Sequence, residues 1–130
     1  MKREVQMVIE GIVEVGQGQG RAFTQLDWVR QQFRDKIGFD PYPGTLNVRA
    51  NAAGVLTLSC ARRAIAIEPA AGFCAAKCLP VRVNARIDAV WIIPDVPGYP
   101  GDLIELMAPV SLREALGPKV GDVIQIEIGD

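Results

Sequence analysis

The sequence predicts a mainly β protein, a small closed β-barrel of about six strands with one long and one short helix. Short segments in which apolar and polar residues alternate recur along the chain, with turn residues between them. Two segments have apolar residues at helical spacing, and one of them is much longer than the other. A chain of 130 residues is long enough to bury one proper core. Residues 1–130 are therefore predicted to form a single domain.

The first predicted strand covers residues 5–15, with a bend or bulge near Gly11 where the alternation changes face. A glycine-rich segment follows it. Glycines at alternate positions let the backbone curl and bring its amides close to a phosphate, with Arg21 as a natural partner. A flexible β-turn is the alternative, because neither a P-loop nor a dinucleotide fingerprint is present. The segment reads Gly16, Gln17, Gly18, Gln19, Gly20, Arg21 and Ala22.

The long helix is predicted to have Thr24 as its N-cap and Gly38 as its C-terminal cap, since apolar residues recur at helical spacing between them. A tight Pro-Gly turn at residues 41–44 then leads into a strand. Period-two alternation places Thr45 and Asn47 on one face of it. Their oxygens suit Mg²⁺ or a phosphate, whereas plain turn chemistry is the alternative interpretation.

The second half of the chain is predicted to be mostly strand. Residues 54–58 indicate a short strand, and residues 73–94 indicate either a hairpin centred near Asn84 or two successive core strands. Residues 95–102 are a predicted loop, of a length that often carries function in compact domains.

Glu105 lies inside the next predicted strand, residues 103–108. A carboxylate in such an apolar run either lies on the exposed face or is held at a site that uses its charge. A short helix follows, with Ser111 as its N-cap and Gly117 at its end, and residues 123–128 form the closing strand.

Composition excludes several classes of function. Histidine is absent, so chemistry would use carboxylates, hydroxyls, backbone amides, Arg, Lys or a bound metal. A net charge of −1 without a basic run predicts no nucleic-acid partner. No apolar run is long enough for a membrane span and no signal-peptide core is evident. We therefore predict a cytoplasmic protein with no membrane contact and no obligate protein partner.

The cysteines Cys60, Cys74 and Cys78 are an odd number, so they cannot form a complete disulfide framework. They could surround a metal, but a fourth ligand is not obvious. We interpret them as small buried thiols.

Four ordered motifs resemble one family when they are taken together. They are Gly16-x-Gly18-x-Gly20-x-x-Phe23, Gly38-Phe39-x-Pro41-Tyr42-Pro43-Gly44-Thr45-Leu46-Asn47, Ile104-Glu105-x-x-Ala108-Pro109-x-x-Leu112-Arg113 and Gly121-Asp122-x-Ile124. In these residues the chain resembles the archaeal CTP-dependent riboflavin kinases. The resemblance implies a cradle-loop (RIFT-type) barrel that transfers the γ-phosphate of CTP to the 5′-hydroxyl of riboflavin, giving FMN and CDP with Mg²⁺ as cofactor.

The resemblance also implies roles for particular residues. Thr45 and Asn47 would ligate Mg²⁺, and Glu105 would contact the flavin near its ribityl end as the candidate base. The glycine segment at residues 16–22 would hold the nucleotide phosphates. The rest of the CTP pocket would be formed by Val110, Ser111, Leu112 and Arg113.

The chain departs from the family pattern on the flavin side. The family usually places a threonine that contacts the flavin where this chain has Pro97, and proline offers neither a hydroxyl nor an N–H. Two alternatives to the riboflavin kinase therefore stay open. One is a barrel that binds a nucleotide or flavin without turnover, and the other is a kinase of the same type with a different acceptor alcohol.

Overall fold

A computed structural model describes residues 5–16, 24–50, 64–70 and 75–129. Within these ranges seven strands and two helices follow one another along the chain. The strands are β1 (Val5–Glu14), β2 (Leu46–Arg49), β3 (Ile65–Ile67), β4 (Ala76–Val83), β5 (Ile87–Pro94), β6 (Leu103–Met107) and β7 (Val123–Gly129). The helices are α1 (Asp27–Gln32), which continues as a π-helical turn (Phe33–Ile37), and α2 (Leu112–Leu116).

Six strands close into an antiparallel barrel in the order β1, β2, β6, β5, β4, β7, and β7 pairs back with β1. The remaining strand, β3, pairs with the first half of β4, whereas β7 pairs with its second half. The predicted closed six-stranded barrel with one long and one short helix is confirmed. No helix in the described ranges is long and apolar enough to cross a membrane.

Apolar side chains form two layers. The larger cluster fills the barrel, with contributions such as Leu79 of β4 and Leu106 of β6. The smaller cluster lies outside the barrel, where Val29 and Phe33 of α1 cover the outer side chains of β4, β5 and β6. Residues 89–92 of β5 are therefore buried on both faces, and this explains why that stretch reads as a continuous apolar run.

The prediction that the alternation changes face at a bend or bulge near Gly11 is wrong. Ile9, Gly11 and Val13 all lie on the buried face of β1, and the register irregularity lies between Val5 and Met7. Gly11 is required for close approach, because a Cβ added there would lie 2.2 Å from Cγ1 of the buried Val48 on β2. The missing side chain lets β1 and β2 pack together inside the barrel.

The predicted N-cap of the long helix is also wrong. Leu26 occupies that position without a side-chain cap, and the Thr24 hydroxyl instead accepts a hydrogen bond of 3.1 Å from the Gly44 N–H. Thr24 is buried and holds the Pro-Gly turn at residues 41–44, the central turn, in place. The predicted C-terminal cap is confirmed, since Gly38 adopts a left-handed conformation with φ of 101°.

The other local predictions in the described ranges hold. The hairpin turns at Asn84, whose side chain and N–H both bond to Gln125 of β7. Ser111 caps α2 by accepting from the Glu114 N–H, and Gly117 ends the helix in a left-handed conformation. Cys78 is a buried free thiol whose pKa is raised by burial to about 12.

Several predictions fall on residues that the structure does not describe. They are the glycine segment from Gln17 to Ala22, the strand at residues 54–58, Cys60 and Cys74.

Replacing Gly11 with alanine is expected to lower the free energy of unfolding by about 1–3 kcal/mol, because the added methyl overpacks against Val48. Urea denaturation followed by circular dichroism measures the change. Gly101→Ala is the matched control, since an added Cβ there has nothing within 4 Å. Equal stability of the two variants would contradict the close contact between β1 and β2.

Candidate active site

A row of polar side chains crosses three strands on the outer face of the barrel. Asn47 of β2 pairs in register with Glu14 of β1 on one side and with Glu105 of β6 on the other. Directly opposed residues of antiparallel strands have their side chains on the same face. Barrel closure therefore brings together one amide and two carboxylates that are distant in sequence.

Glu105 is held by hydroxyls from two different segments. Thr45 Oγ1 lies 3.4 Å from Oε1, and the Tyr99 phenol donates a hydrogen bond to Oε2. Ile92 of β5 pairs with Glu105, and Met107 is the next residue of β6 on the same face as Glu105. Both belong to the smaller apolar cluster outside the barrel. The half-buried carboxylate thus lies at the border between the polar row and the apolar layer under α1.

Thr45 and Asn47 bring two neutral oxygens together. The Thr45 hydroxyl donates to Asn47 Oδ1 across 2.8 Å. Neighbouring ligands of octahedral Mg²⁺ lie about 3 Å apart, so this spacing fits a magnesium ion. The described residues contain no group of three or more Asp, Glu, Cys or His side chains that could hold a metal. A magnesium ion at Thr45 and Asn47 would therefore take its other ligands mainly from substrate and water.

An open cleft of about 90 Å³ begins at Thr45 and lies between the central turn and the start of α2. The N–H of Tyr42 donates to the carbonyl of Ala108 across 2.8 Å, which holds the turn against the segment before α2. The predicted nucleotide-pocket residues thus share a cleft with a predicted metal ligand. The lining is Tyr42, Pro43, Gly44, Thr45, Leu46, Leu106, Ala108, Val110, Ser111, Leu112 and Arg113.

Gly16 is the first residue of the predicted phosphate loop, and it lies against the Asn47 side chain. A Cβ added at Gly16 would be 3.2 Å from both Cγ and Nδ2 of Asn47. The backbone therefore enters the glycine segment directly beside the predicted metal ligands. Residues 17–22 lie outside the described ranges, so their contacts with a nucleotide stay predictions.

Arg49 joins the polar row to the loop before β6. It forms ion pairs of 2.6 Å with Glu14 and 2.8 Å with Asp102. The hydrogen bonds with Glu14 and then Asp102 raise the pKa of Arg49, which keeps the guanidinium charged. One guanidinium thus links Glu14 of the polar row to Asp102 of the loop.

The loop at residues 95–102 turns Tyr99 toward Glu105, whereas Pro97 is exposed. Burial, followed by the hydrogen bond to Glu105, raises the pKa of Tyr99, so the phenol is a proton donor at neutral pH. The family motifs contain neither Tyr99 nor Arg49. The sequence feature that could have identified Tyr99 is its hydroxyl, since no other residue of the loop at 95–102 has one. A role for Pro97 toward a flavin stays a prediction.

The fold and the geometry define a closed β-barrel with a small open cleft beside a row of polar side chains. A family model named CTP-dep_RFKase, with the description "Domain of unknown function DUF120", matches residues 13–128. The chain belongs to this family.

Curated relatives extend the comparison. A riboflavin kinase of Methanocella arvoryzae is 42% identical over 93% of this chain and 56% of its own length. One of Archaeoglobus fulgidus is 38% identical over 92% of this chain and 54% of its own. A riboflavin kinase of Sulfurisphaera tokodaii is 34% identical over 92% of this chain and 93% of its own length. The chain thus spans about half the length of the first two relatives and nearly all of the third.

Replacing Arg49 with glutamine is expected to loosen residues 95–102, because the loop loses its ionic link to β2. Amide hydrogen exchange should become faster at Tyr99 and Leu103, whose N–H groups bond within the loop. The free energy of unfolding should fall by only about 1 kcal/mol, since the pairs are partly exposed. Arg82→Gln, which breaks the exposed pair with Asp88, is the matched control. Unchanged exchange in the loop would contradict the link.

Proposed function

We propose that the chain is an Mg²⁺-dependent riboflavin kinase that transfers the γ-phosphate of CTP to the 5′-hydroxyl of riboflavin. The observation that carries the proposal is the hydrogen-bonded set of Thr45, Asn47 and Glu105 at one end of the cleft lined by residues 110–113. Family membership and the relatives named riboflavin kinase support the reaction type. A module that only binds ligand has no need for a candidate base beside a cation site.

The chain's own residues supply positioning and proton transfer, which phosphoryl transfer chiefly requires. Glu105 accepts the proton of the riboflavin hydroxyl, whose oxygen then forms a bond to the γ-phosphorus of CTP. The bond from the γ-phosphorus to its bridging oxygen breaks, and CDP leaves. Thr45 Oγ1 and Asn47 Oδ1 would hold Mg²⁺, which when bound neutralises charge on the phosphate oxygens.

The cleft suits the nucleotide for two reasons. Residues 110–113 supply Arg113, an exposed guanidinium that would pair with phosphate or with polar groups of the nucleotide. Gly16 brings the glycine segment to the same end of the cleft as Thr45 and Asn47. We propose on this basis that residues 16–22 and 110–113 contact CTP from two sides. Glu105 and the loop that contains Pro97 would face riboflavin.

The first test incubates purified protein with riboflavin, Mg²⁺ and either CTP or ATP and follows FMN by chromatography. FMN formation with CTP, and its loss in EDTA, would support the proposal. Absence of FMN with both nucleotides would overturn it. If CTP still raised the melting temperature in that case, the protein would be a nucleotide-binding barrel with another acceptor or none.

Glu105→Gln is expected to lower kcat by about 100-fold or more, because the amide cannot accept the substrate proton. Isothermal titration calorimetry should still detect CTP binding. Glu127→Gln on β7 is a matched control, since it neutralises a partly buried strand glutamate elsewhere in the barrel. A kcat equal to that of the parent protein would remove Glu105 from the reaction.

Thr45→Val combined with Asn47→Ala is expected to raise the Mg²⁺ concentration needed for half-maximal rate by about tenfold or more, because both proposed protein ligands are lost. Initial rates across a magnesium titration measure the effect, and circular dichroism checks that the barrel is intact. A folded variant with an unchanged magnesium requirement would place the metal elsewhere.

A further inference from the structure

We propose that Tyr99 is a positioning residue that fixes the Glu105 carboxylate for proton transfer from the acceptor alcohol. The inference rests on the proposed function, because it assigns Tyr99 a role in that reaction. It concerns the loop at residues 95–102, which lies beside the candidate base and takes part in none of the four family motifs.

The geometry around Glu105 leaves room for a substrate while restricting the carboxylate. Oε1 faces the hydroxyl of Thr45 and Oε2 accepts from the phenol of Tyr99, so each oxygen is held from a different segment. A carboxylate oxygen has two acceptor positions. One position on each oxygen therefore stays free for an incoming hydroxyl, and the plane of the carboxylate is set by its two donors.

Tyr99 carries the larger part of this restraint. The Thr45 hydroxyl has one hydrogen and two acceptors in reach, and its distance to Asn47 Oδ1 is 2.8 Å against 3.4 Å to Glu105. The Thr45 hydrogen therefore bonds mainly to Asn47. The Tyr99 phenol has no competing acceptor among its described hydrogen bonds, and its raised pKa keeps the proton on the phenol.

The loop is built to present this side chain. At its start the Asp95 N–H bonds to Ala75, and at its end the carbonyl of Asp102 accepts from Ala50 while the Asp102 carboxylate pairs with Arg49. With both ends attached to the barrel, the middle of the loop has little freedom. Tyr99 is only partly exposed, although its loop neighbours Gly98 and Pro100 are exposed, and its hydroxyl bonds to Glu105.

The chemistry explains why a positioning group matters here. A general base works only when its oxygen lies within hydrogen-bond reach of the proton that it removes, and a misplacement of about 1 Å can cost about 100-fold in rate. A glutamate on an outer barrel face has rotatable bonds that would otherwise spread its carboxylate over several positions. Tyr99 keeps its own proton throughout and acts through Glu105.

The test compares four proteins in the riboflavin assay: the parent, Tyr99→Phe, Glu105→Gln and the double variant. Tyr99→Phe keeps the ring and removes the hydroxyl, so kcat should fall by about tenfold or more while both KM values change less than about twofold. In the Glu105→Gln background the same change should have no further effect, because Tyr99 acts through the carboxylate. Glu127→Gln on β7 is the control and should keep the parent kcat.

Three results would overturn the proposal: an unchanged kcat in Tyr99→Phe, a rise in KM alone, or the same loss in both backgrounds. A second measurement does not depend on activity or on the Tyr99→Phe variant. The chain has two tyrosines, so protein labelled with ¹³C at tyrosine Cζ gives two signals. Glu105→Gln should lower the pH at which the Tyr99 signal titrates, and no change would mean that the contact is absent. If the parent makes no FMN, the proposed function fails, and the NMR result still reports on the contact.

Discussion

The position of β2 between β1 and β6 is the constraint on which the candidate site depends. A shift of one residue in this pairing would turn Asn47 into the barrel and expose Val48. Val48 is fully buried and faces the bare backbone of Gly11, so such a shift would lose apolar burial and a close contact. The packing that closes the barrel therefore also sets the polar row that joins Glu14, Asn47 and Glu105.

The candidate site lies at the edge of the part of the outer barrel face that α1 packs against. Helix α1 packs over β4, β5 and the end of β6, and its apolar layer stops beside Glu105. Hydrogen bonds at such a border are stronger than in water, because fewer water molecules compete with them. The cleft includes Thr45, whose hydroxyl lies 3.4 Å from Glu105, and the loop at residues 95–102 brings Tyr99 to the same carboxylate.

Local pattern was enough for much of the fold. The six strands of the barrel, the hairpin at Asn84 and the Ser111 cap depend on residues close in sequence, and the structure confirms them. Gly11 was interpreted as the site of a bend or bulge and Thr24 as an N-cap, and both interpretations are wrong. In each case a distant partner decides the role, since Gly11 makes room for Val48 and Thr24 holds the turn at Gly44. A glycine or a threonine fits several local roles equally well.

The sequence by itself determined that Thr45 and Asn47 share a face, because side chains alternate along any strand. It also determined the family, through motifs spread over most of the chain. Only the tertiary structure decided that Tyr99 bonds to Glu105 and that Arg49 ties a loop to the barrel. Those contacts depend on strand register and on the path of a loop between two strands. Both are set by packing across the whole barrel, which local periodicity does not encode.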